Sequence, residues 1–122
     1  MRLLDTNIVI YHLGGRLAHP LSEGEYAVSV ITELELLSYS DFSDAEEQAT
    51  LEFLRRVRII GLSQETKRKT VEIRRGTHMK LPDAIIAATA LALDLELITN
   101  DPMFKQVKEI SCTSLPLVDL KE

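Results

Sequence analysis

Four acids of this 122-residue chain stand where a short apolar run stops or a helix begins: Asp5, Glu35, Asp83 and Asp101. That placement constrains the fold more than any other feature. In an open parallel sheet every strand ends at one rim, so acids scattered from position 5 to position 101 can meet in a single crevice. Gathered carboxylates repel one another, and a fold that collects them has a divalent cation to hold. Oxygen donors alone read as a site for Mg²⁺ or Mn²⁺.

Hydrophobic patterning alternates strands with helices. Leu3-Leu4 is a short strand that stops at Asp5, and Asn7 to Leu13 then turns into a helix with Thr6 near its cap and Gly14-Gly15 at its end. Tyr26 to Val30 is a second β-like run, after which Thr32 offers a cap for a helix carrying Glu33, Glu35 and Leu36-Leu37. A longer helix begins at Ser43 or Asp44, with Ala45, Ala49, Leu51, Phe53, Leu54 and Val57 on its apolar side. Val57 to Ile60 reads as the third strand, closed by Gly61, and Ser63 caps a basic helix reaching to about Arg75, ended by Gly76. Pro82 suits the first turn of the next helix, which is apolar nearly all round from Ala84 to Leu93 and therefore buried. Leu95 to Thr99 is the fourth strand, Asp101-Pro102 starts a short helix, and Leu115 to Val118 is the expected fifth strand. Helices between successive strands imply right-handed parallel crossovers, hence an α/β three-layer sandwich around a central, mostly parallel five-stranded sheet. A single domain over residues 1–122 is expected, since that length buries one core but not two.

Composition narrows the function classes. An apolar fraction of 45% argues against disorder. Cys112 is the one cysteine, which rules out a disulfide framework or a thiolate metal site and suits a reducing compartment. Met1-Arg2-Leu3-Leu4-Asp5 does not read as a signal peptide, and the apolar stretch Ala84 to Leu93 is too short to cross a bilayer, so a cytoplasmic protein is expected. The net charge of −5 hides an asymmetry. From Arg55 to Lys80 lie nine of the fourteen basic residues against two acids, a segment of +7 that leaves −12 on the remainder. A basic zone on an acidic protein is the footprint of a polyanion contact, or simply the solvated faces of helices. His12, His19 and His78 lack metal-site spacing and read as structural or surface residues.

Four motifs in order, Leu4-Asp5-Thr6-Asn7, Ile31-Thr32-Glu33-Leu34-Glu35-Leu36, Leu81-Pro82-Asp83-Ala84-Ile85-Ile86-Ala87-Ala88 and Ile98-Thr99-Asn100-Asp101, closely resemble those of the PIN-domain nucleases. Length and order look most like the toxin components of VapBC-type toxin–antitoxin pairs. The resemblance spans about residues 1 to 104 and implies a metal-dependent endoribonuclease. Asp5, Asp83 and Asp101 match the family's metal-binding aspartates, and Glu35 matches the acid of its Thr-x-x-Glu-Leu motif. Glu33 is the nearby competitor, but residues two apart on a helix point about 200° from each other, so only one of the pair belongs to the site. Thr6, Asn7 and Thr99 match polar positions that orient carboxylates or waters. Where relatives often carry a glycine, Leu37-Ser38 stands here.

The resemblance also implies an RNA substrate, a cognate antitoxin that masks the site and a homodimer, with no membrane partner. Arg74 and Arg75 are candidate RNA contacts, and Leu34, Leu37, Tyr39, Phe42, Leu51 and Leu54 are candidates for apolar partner surface or core. Three other classes stay open. A receiver-type phosphoacceptor wants an acidic pair after its first strand, and a haloacid-dehalogenase-type phosphatase wants an aspartate where Asn7 stands. A catalytically silent PIN-like binding or assembly module would have no use for four mutually repelling acids.

Overall fold

Five short strands pair side by side in the order β3-β2-β1-β4-β5: β1 (Arg2–Leu4), β2 (Tyr26–Ser29), β3 (Arg58–Ile60), β4 (Glu96–Ile98) and β5 (Cys112–Thr113). The computed structural model describes residues 1–119; the last three residues of the expected 1–122 domain lie outside the described residues. Every pairing is parallel, with Leu3 opposite Ala27 on one side and Leu97 on the other. The sheet expected to be mostly parallel is wholly so among its described strands. Parallel neighbours need a crossover, and helices supply it: α1 (Thr6–Leu13), α2 (Val30–Leu37), α3 (Asp44–Arg56), α4 (Gln64–Gly76) and α5 (Leu81–Leu93).

Alternation along the strands builds two cores. Leu3, Ala27 and Leu97 face one side, where they meet Ile73 of α4, the alanine-rich face of α5, and Phe104. Leu4, Val28 and Ile98 face the other, against Ile8 and Val9 of α1, Leu36 of α2, and Phe53 and Leu54 of α3. Period-two side-chain direction makes each central strand serve both layers, which is the three-layer sandwich in physical terms. Helix α5 is buried along the whole run from Ala84 to Ala90. Its small alanines let it lie close to the sheet while α4 packs across it.

Helix α2 touches both cores, Ile31 the first and Leu36 the second, so it lies across the end of the sheet and not along a face. Its cap is Ser29, whose Oγ accepts from the Ile31 N–H at 3.1 Å. Thr32, read from sequence as the cap, sits inside the helix, because the helix begins three residues earlier and leaves the threonine hydroxyl for another partner. Helix α3 starts as read, with Ser43 and Glu46 forming a reciprocal capping box, and Ser63 caps α4.

The expected fifth strand is displaced. Cys112–Thr113 is the strand that joins the edge of β4, while residues 115–118 turn away from the sheet. Leu117 forms an antiparallel bridge with Leu17, and the Val118 N–H donates to the Arg16 carbonyl at 2.7 Å. The physical reason is that Pro116 has no N–H to give a ladder, whereas the segment after α1 offers both a donor and an acceptor. Only a 3-10 helix, Pro102–Gln106, separates β4 from β5, in place of a full crossover helix. Among the described residues no helix is long and apolar enough to cross a membrane.

Phe104 is 1% exposed at the closure of the first core, and Leu93 is 47% exposed. Phe104→Ala is expected to lower the unfolding free energy by about 3–5 kcal/mol, and Leu93→Ala by no more than about 0.5 kcal/mol. Urea unfolding of the two variants checks the assignment.

Candidate active site

Asp5 is the first residue past β1 and Thr99 the first past β4, the two strands that neighbour each other at the centre of the sheet. The chain fills outward from β1 through β2 to β3, then returns to start the other half at β4. Between β1 and β4 the direction of filling reverses, the position at which an open parallel sheet provides a crevice.

Across that crevice the Thr99 hydroxyl donates to Asp5 Oδ2 at 2.7 Å, and the Asp5 N–H donates to the Ile98 carbonyl at 3.0 Å. Asp5 is only 4% exposed. Burial lifts its pKa from 3.8 to about 6; the Thr99 hydroxyl and the Thr6 amide oppose the rise, and the charges of Asp83 and Asp101 add to it. The same Thr99 oxygen accepts from the Asp101 N–H at 3.1 Å, so one hydroxyl ties two of the acids' segments together.

A second hydroxyl does this on the other side. Thr6 donates to Glu35 Oε1 at 2.7 Å and lies 2.8 Å from the Thr32 hydroxyl. Because the Thr6 proton goes to the carboxylate, Thr32 must be the donor to Thr6, and the relay runs Thr32 to Thr6 to Glu35. This gives Thr32 the partner that its interior position in α2 requires; sequence reading took it for a cap and missed the relay. Glu35 is thereby the glutamate of α2 joined to the first residue of α1, and Glu33 makes no such bond.

Asp83, in the first turn of α5, is half-buried, and its pKa is raised by burial and by the charges of Asp101 and Glu35, with Lys80 acting in opposition. Asp101 starts the 3-10 helix, and its Oδ1 accepts from the Met103 N–H at 2.9 Å, so one of its oxygens serves as a cap. The four acids therefore act on one another electrostatically. Among the described residues, no three His, Cys, Asp or Glu side chains converge closely enough, as they stand, to clasp an ion. The donor set still fits one: oxygen ligands only, one of them buried with a raised pKa that a bound divalent charge would offset.

The remaining candidates divide. Asn7 is exposed one residue past Thr6. Arg74 and Arg75 are exposed in the last turn of α4, and among the described residues no ion pair joins them to the acids. Within the basic zone Arg68 and Lys69 pair with Glu65 or Glu72, and Arg56 with Glu52, as surface helix pairs of small energy. Leu34, Leu37 and Tyr39 are exposed, Phe42 and Leu51 are half-buried, and Leu54 belongs to the core, which removes it from any partner surface. His12 packs its ring 5.6 Å from that of Phe53, and burial lowers its pKa. A cavity of 880 Å³, lined by residues such as Glu25, Tyr26, Phe53 and Arg58, includes none of the four acids.

The family model described as PIN domain matches residues 2–110. The chain is similar to VapBC2 from Rickettsia felis, solved bound to a DNA fragment from their promoter, with a TM-score of 0.79 and 26% identity over 93% of this chain and 98% of that one. To a chain of a toxin–antitoxin complex from Klebsiella pneumoniae it is 36% identical, over 85% of this chain and 90% of that one, with a TM-score of 0.74. VapBC-5 from Mycobacterium tuberculosis shares the fold at 24% identity and a TM-score of 0.70, over 94% and 97% of the two chains. No curated protein matches the chain in sequence.

The raised pKa of Asp5 fixes the sign of a pH effect. The folded carboxyl takes its proton near pH 6 and the unfolded one near 3.8, so the contribution of Asp5 to stability is fully present below 3.8 and is lost as pH rises through 6. Without divalent ions, moving from pH 7.5 to 5 should stabilise the wild type relative to Asp5→Asn by about 1 kcal/mol. Paired urea titrations across that range measure the difference.

Proposed function

The chain belongs to the PIN-domain family, and from that premise we propose that it is a metal-dependent endoribonuclease, the toxin half of a toxin–antitoxin pair. The observation that carries this reading is the buried Asp5 carboxylate at the central strand junction, held by Thr99 and pressed on by the charges of Asp83 and Asp101. Asp5, Asp83, Asp101 and Glu35 would hold Mg²⁺ or Mn²⁺. Such an ion, when bound, supplies an acidified water and a counter-charge for the phosphate oxygens.

The chain's own residues set the geometry. Asp5 would anchor the ion, since Thr99 fixes its Oδ2 and burial limits the access of water to it. Glu35 is oriented through Thr6 and Thr32, so its second oxygen is directed by a relay and not by chance rotation. Asp83 would join from the first turn of α5, and Asp101 would offer the oxygen that the Met103 N–H does not use. Attack by water, with no part for the 2′-hydroxyl, would leave a 5′-phosphate and a 3′-hydroxyl. The toxin assignment is supported by the likeness to a chain of the Klebsiella toxin–antitoxin complex. A cognate antitoxin and a second copy of the chain are the protein partners, with Leu34, Leu37 and Tyr39 as exposed apolar contacts.

Incubation of purified protein with a mixed pool of structured RNAs tests the proposal. Cutting with Mg²⁺ or Mn²⁺, none with EDTA, and none by Asp5→Asn or Asp83→Asn are expected. Thr99→Val should cost about 10–100-fold in metal affinity or activity through loss of the orienting bond. Cutting that survives EDTA, or that Asp5→Asn retains, would sink the assignment.

A further inference from the structure

Beside the acids, the 3-10 helix and β5 enclose a cavity of 340 Å³ whose lining includes Thr99, Asn100, Asp101, Lys105, Cys112 and Ser114. It shares Thr99 and Asp101 with the carboxylate cluster, so anything seated there is adjacent to the proposed ion. Lys105 is the one basic side chain in the lining. Although Asp101 lines the same cavity, no ion pair engages Lys105 among the described residues, so its ammonium is available to an incoming anion.

The walls are held at a fixed spacing. Asn100 Nδ2 donates to the Leu115 carbonyl at 2.9 Å while its Oδ1 accepts from the Leu115 N–H at 2.8 Å, and the Thr99 N–H donates to the Thr113 carbonyl at 3.0 Å. These three bonds staple the loop after β4 to the end of β5 and the segment that follows it. The volume is at the small end of ligand sites, suited to one nucleotide and not to a duplex. A polyanion approaching four carboxylates also needs a fixed counter-charge, and a lysine ammonium is a point donor suited to a phosphate.

We propose that this cavity is a substrate subsite for the nucleotide next to the scissile phosphate, with Lys105 as its phosphate contact and Asn100 as the residue that sets its width. The proposal rests on the nuclease reading above. Its test is binding of fluorescein-labelled single-stranded RNA of randomised sequence, with Mg²⁺, in an Asp83→Asn background that does not cut. Lys105→Ala should weaken binding several-fold and reduce the salt slope by about 1, whereas Lys105→Arg retains most of both. Lys108→Ala, at an exposed position outside the lining, should match its parent. Modification of Cys112, the chain's one cysteine, with N-ethylmaleimide should fill the cavity and weaken RNA binding, whereas wild-type protein modified in the same way should keep its Mn²⁺ binding. Cys112→Ala protein should be indifferent to the reagent. Equal behaviour of Lys105→Ala and Lys108→Ala, or undiminished binding after modification, overturns the subsite alone. A parent protein that binds no RNA and a wild type that cuts none overturn the nuclease reading with it.

Discussion

The 2.7 Å hydrogen bond from Thr99 to Asp5 joins the ends of the two central strands, and the chemistry attributed to this protein depends on it. A carboxylate that is 4% exposed is expensive to leave without donors. Here it has a hydroxyl from one strand end and an amide from the next residue, yet its pKa still rises to about 6. The fold therefore holds an acid that is solvated by too few groups and crowded by Asp83 and Asp101. A divalent cation is the species that would remove both problems at once.

Everything around Asp5 follows from a sheet in which all strands point one way. Leu3 and Leu4 are buried on opposite faces, as are Leu97 and Ile98, so β1 and β4 are locked between two cores and their ends cannot drift. Helix α2 crosses the rim of the sheet and delivers Glu35; α5 begins at the same rim and delivers Asp83. Two threonine hydroxyls, Thr6 and Thr99, then convert proximity into orientation. Each uses its single proton on a carboxylate and accepts from a neighbour, Thr32 in one case and the Asp101 amide in the other.

Much of this was legible in the residues, because it rests on signals with a strong physical origin. Apolar runs ending in an acid located β1 and β4, Ser43 and Ser63 announced their helices, and Pro82 marked the start of the buried α5. Two features were not legible for identifiable reasons. Cys112–Thr113 is a two-residue edge strand with no hydrophobic signature, while the more apolar Leu115 to Val118 is drawn off by Asn100 and by the chain beyond α1. Thr32 looked like a cap because threonine favours caps, but Ser29 lay one helical turn earlier and took that role. Its displacement is informative, since a buried threonine inside a helix needs a partner, and that partner is the relay to Glu35. Helix geometry alone sets Glu33 and Glu35 on different faces of α2; the fold decides that Glu35 is the one that meets Thr6.

Binding of the proposed ion can be read without any RNA. Titration of Mn²⁺ into wild type, Asp5→Asn and Glu33→Gln, followed by electron paramagnetic resonance of the free ion, distinguishes a site at the strand junction from diffuse surface binding. Saturable binding by wild type and Glu33→Gln, lost in Asp5→Asn, is the predicted result. Binding that Asp5→Asn retains in full, or that the wild type never shows, would contradict it.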